Sequence, residues 1–296
     1  MAKSLHPERE TQNRIVKFFE KELGYKYLGN LEAEANFNVR WGDWKKFLSD
    51  SGYSAPFVES LQNEFFKTLN DFSKSPYHTN KEVYRILKYG LKLAAFPGEA
   101  PKTVYFINWE EPEKNNFYIA EEVTVNGNVE KRPDIVLYIN GIAIAVMELK
   151  KSTVSVADGI RQNVTNQREQ FIQRFFSTIQ ICVAANDSEG LRYGTSGTTE
   201  KYYLEWKEDN FTDQLQDKDD LDKILEGKCS KQLNLLEQQC YRIFQKERLL
   251  DIIHNFIIFD SGIKKICRYN QFYAIKRCEK RLSRNQGGIV WHTQGS

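Results

Sequence analysis

Apolar residues are packed most densely between Lys131 and Ser152, KRPDIVLYINGIAIAVMELKKS. Two apolar runs meet at Asn140-Gly141. Asn-Gly between such runs is a strong hairpin signal, because both residues tolerate positive φ. Charge appears only at the far ends: Asp134 opens the first run, and Glu148, Lys150 and Lys151 close the second. Strand side chains alternate in direction, so Glu148 and Lys150 share a face. A two-residue loop would pair Ile139 with Ile142 and leave Asp134 on the opposite face from Glu148. A three-residue loop with Gly141 left-handed would pair Tyr138 with Ile142, set Asp134 opposite Val146 and make Glu148 its diagonal neighbour. The expectation is therefore a type I turn with a glycine bulge.

Elsewhere the spacing alternates between helix and strand. Pro7 to Leu23 reads as a helix with Ile15, Phe18, Phe19 and Leu23 on one face, stopped by Gly24. The stretch up to Asn38 carries no clear period. Phe57 to Phe72 has helical spacing, and Asn80 is expected to cap a helix running to about Leu93. Val104–Trp109 and Tyr118–Val125 read as strands, Val156–Phe176 as a helix, and Thr178–Ala185, Leu191–Thr195 and Lys201–Trp206 as strands. From Asp219 the chain reads as helical, through Leu221–Leu225, Leu233–Phe244 and Arg248–Phe256; Gly287–Trp291 resembles the start of a strand. The fold class expected is α/β, a mixed central sheet flanked by helices with an additional helical C-terminal segment.

The 296 residues carry a net charge of +2, so any nucleic-acid surface must be local. Between Ile263 and Arg284 eight Lys or Arg stand against one acid, Glu279, which suits either a solvated helix face or a phosphate-facing surface. The five cysteines are scattered without a CxxC pair, which argues for reduced thiols in a cytoplasmic protein and against a structural zinc site. The opening MAKSLHPERE is too polar for a secretory leader, and no apolar run is long enough to span a membrane.

Acids at the ends of buried strands are costly unless paired, solvated or metal-bound. Hydrolysis of a phosphodiester needs negative charge neutralised and a water deprotonated near neutral pH, and a divalent metal does both. Asp134 and Glu148 are hard oxygen ligands suited to Mg²⁺, with the Leu149 carbonyl a candidate third. Lys150 is placed to hold the attacking water, help deprotonate it, or stabilise the developing charge. Taken alone, the triplet fits an ordinary hairpin with polar ends better than it fits a catalytic site.

The Pro-Asp…Glu-x-Lys constellation resembles the PD-(D/E)xK nuclease superfamily. KRPD and ELKK, followed by STVSVADGIRQNVTNQ, AANDSEGLRYGT and GGIVWHTQGS, resemble the N-terminal part of the restriction (motor) subunit of type I restriction-modification enzymes. The likeness extends to the ETQNRIVKFFEKELGYKYLGN opening and covers essentially the whole chain. It implies a restriction-endonuclease-like domain over 1–250, then a linker and the truncated start of a RecA-like superfamily 2 translocase over 251–296. It also implies DNA as substrate, methyltransferase and specificity subunits as partners, and ATP as cofactor of the full-length protein only. Gln162 fits the helical glutamine that supports such sites, but Asn166 stands where the family pattern has Tyr. Glu8, with Glu10 as rival, is the first-helix acid. Arg268 and Gln271 resemble the adenine-reading motif of these motors. Thr293, Gly295 and Ser296 resemble the opening of a P-loop whose Gly-Lys-Ser/Thr does not appear. Two other readings stay open: an assembly module without catalysis, and an exonuclease requiring free DNA ends.

Overall fold

The computed structural model describes residues 8–71, 73–96, 98–207 and 233–291. The expected helix at Leu221–Leu225, and Thr293, Gly295 and Ser296, lie outside the described residues. Five helices precede or follow the first strands: α1 (Glu8–Lys21), α2 (Trp41–Asp50), α3 (Ala55–Leu69), α4 (Pro76–Tyr89) and α5 (Val156–Asn166). Three more lie toward the C-terminus: α6 (Leu235–Phe244), α7 (Lys246–Asn255) and α8 (Tyr269–Ser283). The strands are β1 (Lys26–Asn30), β2 (Leu91–Leu93), β3 (Lys102–Val104), β4 (Phe117–Glu121), β5 (Ile135–Ile139) and β6 (Ile142–Leu149). They continue with β7 (Ile181–Asn186), β8 (Gly190–Gly194), β9 (Leu204–Glu205), β10 (Ile257–Asp260) and β11 (Ile263–Ile266).

Seven strands form one mixed sheet in the order β1-β4-β5-β6-β7-β8-β9, with β1–β4 and β6–β7 parallel and the other pairs antiparallel. β5 and β6 lie at its centre and every one of their residues is buried, which explains their unbroken apolar runs. One face of the sheet, with Ile135, Leu137, Met147 and Val183, packs on a core shared with Ile15 and Phe19 of α1 and with residues of α2, α3, α4, α6 and α7. On the other face Val136, Tyr138, Val146 and Cys182 pack with Phe175 and Phe176, while Ala184 meets Val156 and Ile160 of α5.

The hairpin turn differs from the three-residue loop expected. Ile139 pairs with Ile142, and Asn140 (φ 50°) and Gly141 (φ 83°) form a two-residue turn with both central φ angles positive. The extra residue lies deeper, in β6: Leu137 pairs with Ala145 but Tyr138 with Ala143, so Ile144 is the bulge. Ile144 and Ala145 both face the α1-side core. This bulge reverses the parity that a two-residue turn would impose, and it coincides with an exchange of partners along the outer edge of β6. Before it, Val39 bridges Ile142 and Ala143 N–H donates to Asn38 O at 2.9 Å. From Ile144 onward the partner is the β7 segment, with Gln180 N–H donating to Ile144 O at 2.7 Å.

Other elements also depart from the pattern. The fourth helix starts at Pro76 under a Ser75 cap rather than at Asn80, and it ends at Tyr89, with Leu91–Leu93 forming a strand. Asn80 instead staples the helix to the segment leading into β7 by donating to the carbonyls of Phe176, Ser177 and Ile179. α5 stops at Asn166 and a 3₁₀ turn covers Gln173–Ser177. The strand expected over Val104–Trp109 is confined to Lys102–Val104, and the one over Lys201–Trp206 to Leu204–Glu205 after a 3₁₀ turn. α2 and the β10–β11 hairpin form where the sequence shows no clear period, and residues 287–291 form no strand. Lys264, counted with the basic surface, is buried: its Nζ donates to Ile179 O at 3.1 Å and Gln180 Oε1 at 2.7 Å. Burial pushes its ammonium down to about 7.

Candidate active site

The charged ends of the central strands converge at one end of the sheet. Extending the β5–β6 register by one pair sets Asp134 opposite Glu148, on the same face. That face is covered by α5, opened by a Ser155 cap that accepts from Ala157 N–H. Gly159 lets the helix come close: a Cβ there would lie 3.1 Å from Ala184 Cβ and 3.4 Å from Glu148 O. One turn on, Gln162 Nε2 donates to Glu148 Oε2 at 2.6 Å, and Asn166 Nδ2 donates to Glu148 Oε1 at 3.2 Å. Asn166 thus holds the carboxylate from the position where the family pattern has Tyr.

Asp134 Oδ2 accepts from Leu149 N–H at 2.6 Å, which ties the first carboxylate to the strand carrying the second. Lys150 Nζ donates to Leu149 O at 2.9 Å and lies 4.0 Å from Glu8 Oε1. The structure therefore brings Asp134, Glu148, Leu149, Lys150, Gln162 and Glu8 to one place. Arg268 and Gln271 lie elsewhere, at the start of α8, where Arg268 N–H donates to Gln271 Oε1 at 3.0 Å and closes the helix end.

Electrostatics set the two carboxylates apart from ordinary ones. Burial raises the Asp134 carboxyl to about 6, against the opposing pull of the Leu149 N–H and Lys150. Glu148 is fully buried and is raised well above the usual carboxylate range, first by burial and then by the charge of Asp134. Two acids that resist joint ionisation are suited to a cation. Among the described residues no group of three His, Cys, Asp or Glu is gathered for a metal. Two carboxylates and a main-chain carbonyl still fit Mg²⁺, which keeps several of its waters and takes one or two protein carboxylates.

A family model described as "Type I restriction enzyme R protein N terminus" matches residues 5–201. The chain belongs to that family. Among curated relatives, it is 27% identical to the MjaIXP endonuclease subunit of Methanocaldococcus jannaschii, a provisionally named type I restriction enzyme; the match covers 100% of this chain and 30% of the relative. The MjaVIIIP endonuclease subunit of the same organism, also provisionally named, is 28% identical over 98% of this chain and 28% of its own length. The type I restriction enzyme HindI endonuclease subunit of Haemophilus influenzae is 25% identical over 73% of this chain and 21% of its own length. The chain thus spans less than a third of the relatives it matches.

Within this family member the sheet end holds residues that sequence reasoning missed. Glu121 closes β4 and Glu122 follows it in a left-handed conformation (φ 50°). Glu122 N–H donates to Asp134 O at 2.9 Å. Gln12 of α1 donates to Glu121 Oε2, Glu122 Oε1 and Asp134 O at 3.4, 3.1 and 3.2 Å. Arg9 of α1 bridges Glu121 Oε1 at 3.0 Å and Glu122 Oε1 at 3.2 Å. The sequence offered one signal, two adjacent acids interrupting an apolar run, but nothing that linked them to a helix more than a hundred residues away.

Proposed function

We propose that this chain is the metal-dependent DNA endonuclease region of a type I restriction enzyme R subunit, with a restriction-endonuclease-like fold. The observation that carries this reading is the juxtaposition of the half-buried Asp134 and the fully buried Glu148, facing each other with Lys150 beside them. Asp134, Glu148 and the Leu149 carbonyl would hold Mg²⁺, which when bound supplies charge neutralisation and a more acidic water. Lys150 orients the attacking water and meets the charge that develops on the phosphate. Gln162 and Asn166 fix both oxygens of Glu148, so its orientation is set before substrate arrives. Glu8, next to Lys150, holds that ammonium at the mouth of the site.

For the full-length protein the proposal extends to ATP-driven DNA translocation by a RecA-like motor whose first part lies in 251–296. Arg268 and Gln271 would read the nucleotide base, methyltransferase and specificity subunits would choose the DNA target, and the complex would work in the cytoplasm. Among the described residues, no helix is long and apolar enough to cross a membrane. The division between nuclease and motor falls within α7, whose Leu249, Leu250, Ile252 and Ile253 pack into the same core as α1.

Nicking of covalently closed supercoiled plasmid with Mg²⁺ tests the nuclease reading. Lys150→Ala should reduce it on the order of 10²- to 10⁴-fold. Equal nicking by both proteins would overturn the assignment, and cleavage confined to linear DNA would favour an exonuclease.

A further inference from the structure

At the mouth of the site, Glu122 is gripped by two arginines from different elements. Arg9 Nη1 of α1 meets Glu122 Oε1 at 3.2 Å, and Arg132 Nε, two residues before Asp134, meets Glu122 Oε2 at 2.8 Å. Arg132 also pairs with Glu32 through Nη1. Despite these bonds the Arg9 and Arg132 side chains remain 48% and 44% exposed, whereas Glu122 is 16% exposed. The carboxylate thus lies inside and the guanidiniums reach out to solvent on either side.

Two further features distinguish Glu122 from a surface ion-pair partner. Its backbone is left-handed, a region that non-glycine residues seldom occupy and that recurs where the surrounding structure imposes it at working sites. Its N–H also binds the carbonyl of Asp134, and Gln12 spans the Glu122 carboxylate and that same carbonyl. The neighbouring Glu121 differs: it is buried and takes bonds from Tyr27, Gln12 and Arg9, as an internal structural acid does. Glu122 therefore couples the two exposed guanidiniums to the backbone that carries Asp134.

Guanidinium forks bind phosphate oxygens in the geometry they use for carboxylates. We propose that Arg9 and Arg132 form a clamp for a DNA backbone phosphate next to the scissile one, and that Glu122 occupies the clamp as a stand-in anion until DNA replaces it. This inference rests on the reading of the sheet end as a site of DNA cleavage. It assigns to Arg9 and Arg132 a binding role and to Glu122 the role of keeping both side chains in place without ligand.

Binding of a short fluorescent DNA duplex to the 296-residue chain, in Ca²⁺ buffer over a salt series, tests the clamp. Arg9→Gln and Arg132→Gln should each weaken binding about tenfold and make the slope of log affinity against log salt shallower by about 0.9. Arg132→Lys should keep the slope and lose part of the affinity. Glu122→Gln should bind several-fold more tightly, because the anion shared by both arginines is gone while each stays in place, Arg9 on Glu121 and Arg132 on Glu32; a purely structural role predicts weaker binding and a lower Tm. Unchanged binding in the arginine variants, weaker binding by Glu122→Gln, or no binding by the wild type overturns the clamp. Plasmid nicking on the same preparations separates the two ideas. Loss of nicking in Lys150→Ala with silent arginines refutes the clamp alone, whereas arginine-dependent binding with nicking indifferent to Lys150 refutes the catalytic assignment alone.

Discussion

The two ends of the central hairpin bury polar groups in opposite ways. At the tip, Asn140 is fully buried, and its side chain donates to Phe106 O at 2.9 Å and Asn115 Oδ1 at 2.8 Å while accepting from Asn116 N–H at 2.7 Å. Its own N–H donates to Asn116 O at 2.8 Å. Gly141 is walled in: an added Cβ would lie 2.6 Å from Arg40 O and 2.8 Å from Trp44 N. At the other end Glu148 is just as buried, yet it faces a second carboxylate that raises its pKa further. A neutral amide with its bonds made stabilises a fold, whereas two facing acids cost stability unless a proton or cation is shared. The tip holds the fold together; in the function proposed above, the charged end binds a cation.

The contrast can be broken most severely at the charged end. Asp134→Asn and Glu148→Gln should each take Mg²⁺-dependent plasmid nicking down at least ~10³-fold, because each removes a proposed metal ligand. Melting without metal should show no loss of stability in either. A large drop in Tm in both would recast the carboxylates as structural groups.

Next in size is the tip. Asn140→Ala removes three side-chain bonds, leaves buried partners unpaired and puts Ala in a left-handed conformation. It should cost about 2–4 kcal/mol in denaturant unfolding. Nicking per folded molecule should remain near wild type, and a variant as stable as wild type would show that the buried amide contributes little.

Acidity separates the two ends more gently. Burial raises the Asp134 carboxyl in the folded protein from its ordinary 3.8 to about 6, so the native protein binds more protons than the unfolded chain between those values. The resulting stability is fully present below the lower value and lost as pH rises through about 6. Metal-free wild type should therefore lose on the order of 2 kcal/mol from pH 4 to 7 relative to Asp134→Asn, read by urea unfolding across pH. Saturating Mg²⁺ should flatten that difference. The smallest effect is expected for Asn166→Ala, which frees one Glu148 oxygen and should slow nicking by a factor of about 3–10, with affinity for Mg²⁺ falling in parallel by isothermal titration.

Much of the hairpin was legible because its signals are local. Asn140-Gly141 sets the turn through its tolerance of positive φ, and apolar runs bounded by Asp134 and Glu148 place acids at the strand ends. Parity was not legible in the same way. The three-residue loop expected from the sequence would give Asp134 and Glu148 a shared face, but the turn that forms has two residues and alone would separate them. What puts them together is the bulge at Ile144, where the outer edge of β6 passes from Val39 to β7. That exchange depends on segments more than thirty residues away on either side, and no local preference encodes it.

The same division runs through the rest of the molecule. By itself the sequence determined the alternation of elements in the sheet region, the helical glutamine at Gln162 and the acids at the strand ends, Asp134 and Glu148. Tertiary structure alone decided that Arg9 and Gln12 of α1 meet Glu121 and Glu122 at the end of β4, that Asn80 serves as a staple rather than a cap, and that Lys264 is buried. Periodicity and turn chemistry report what a few neighbouring residues prefer. Which polar groups must satisfy one another is settled only when burial removes water as the alternative partner.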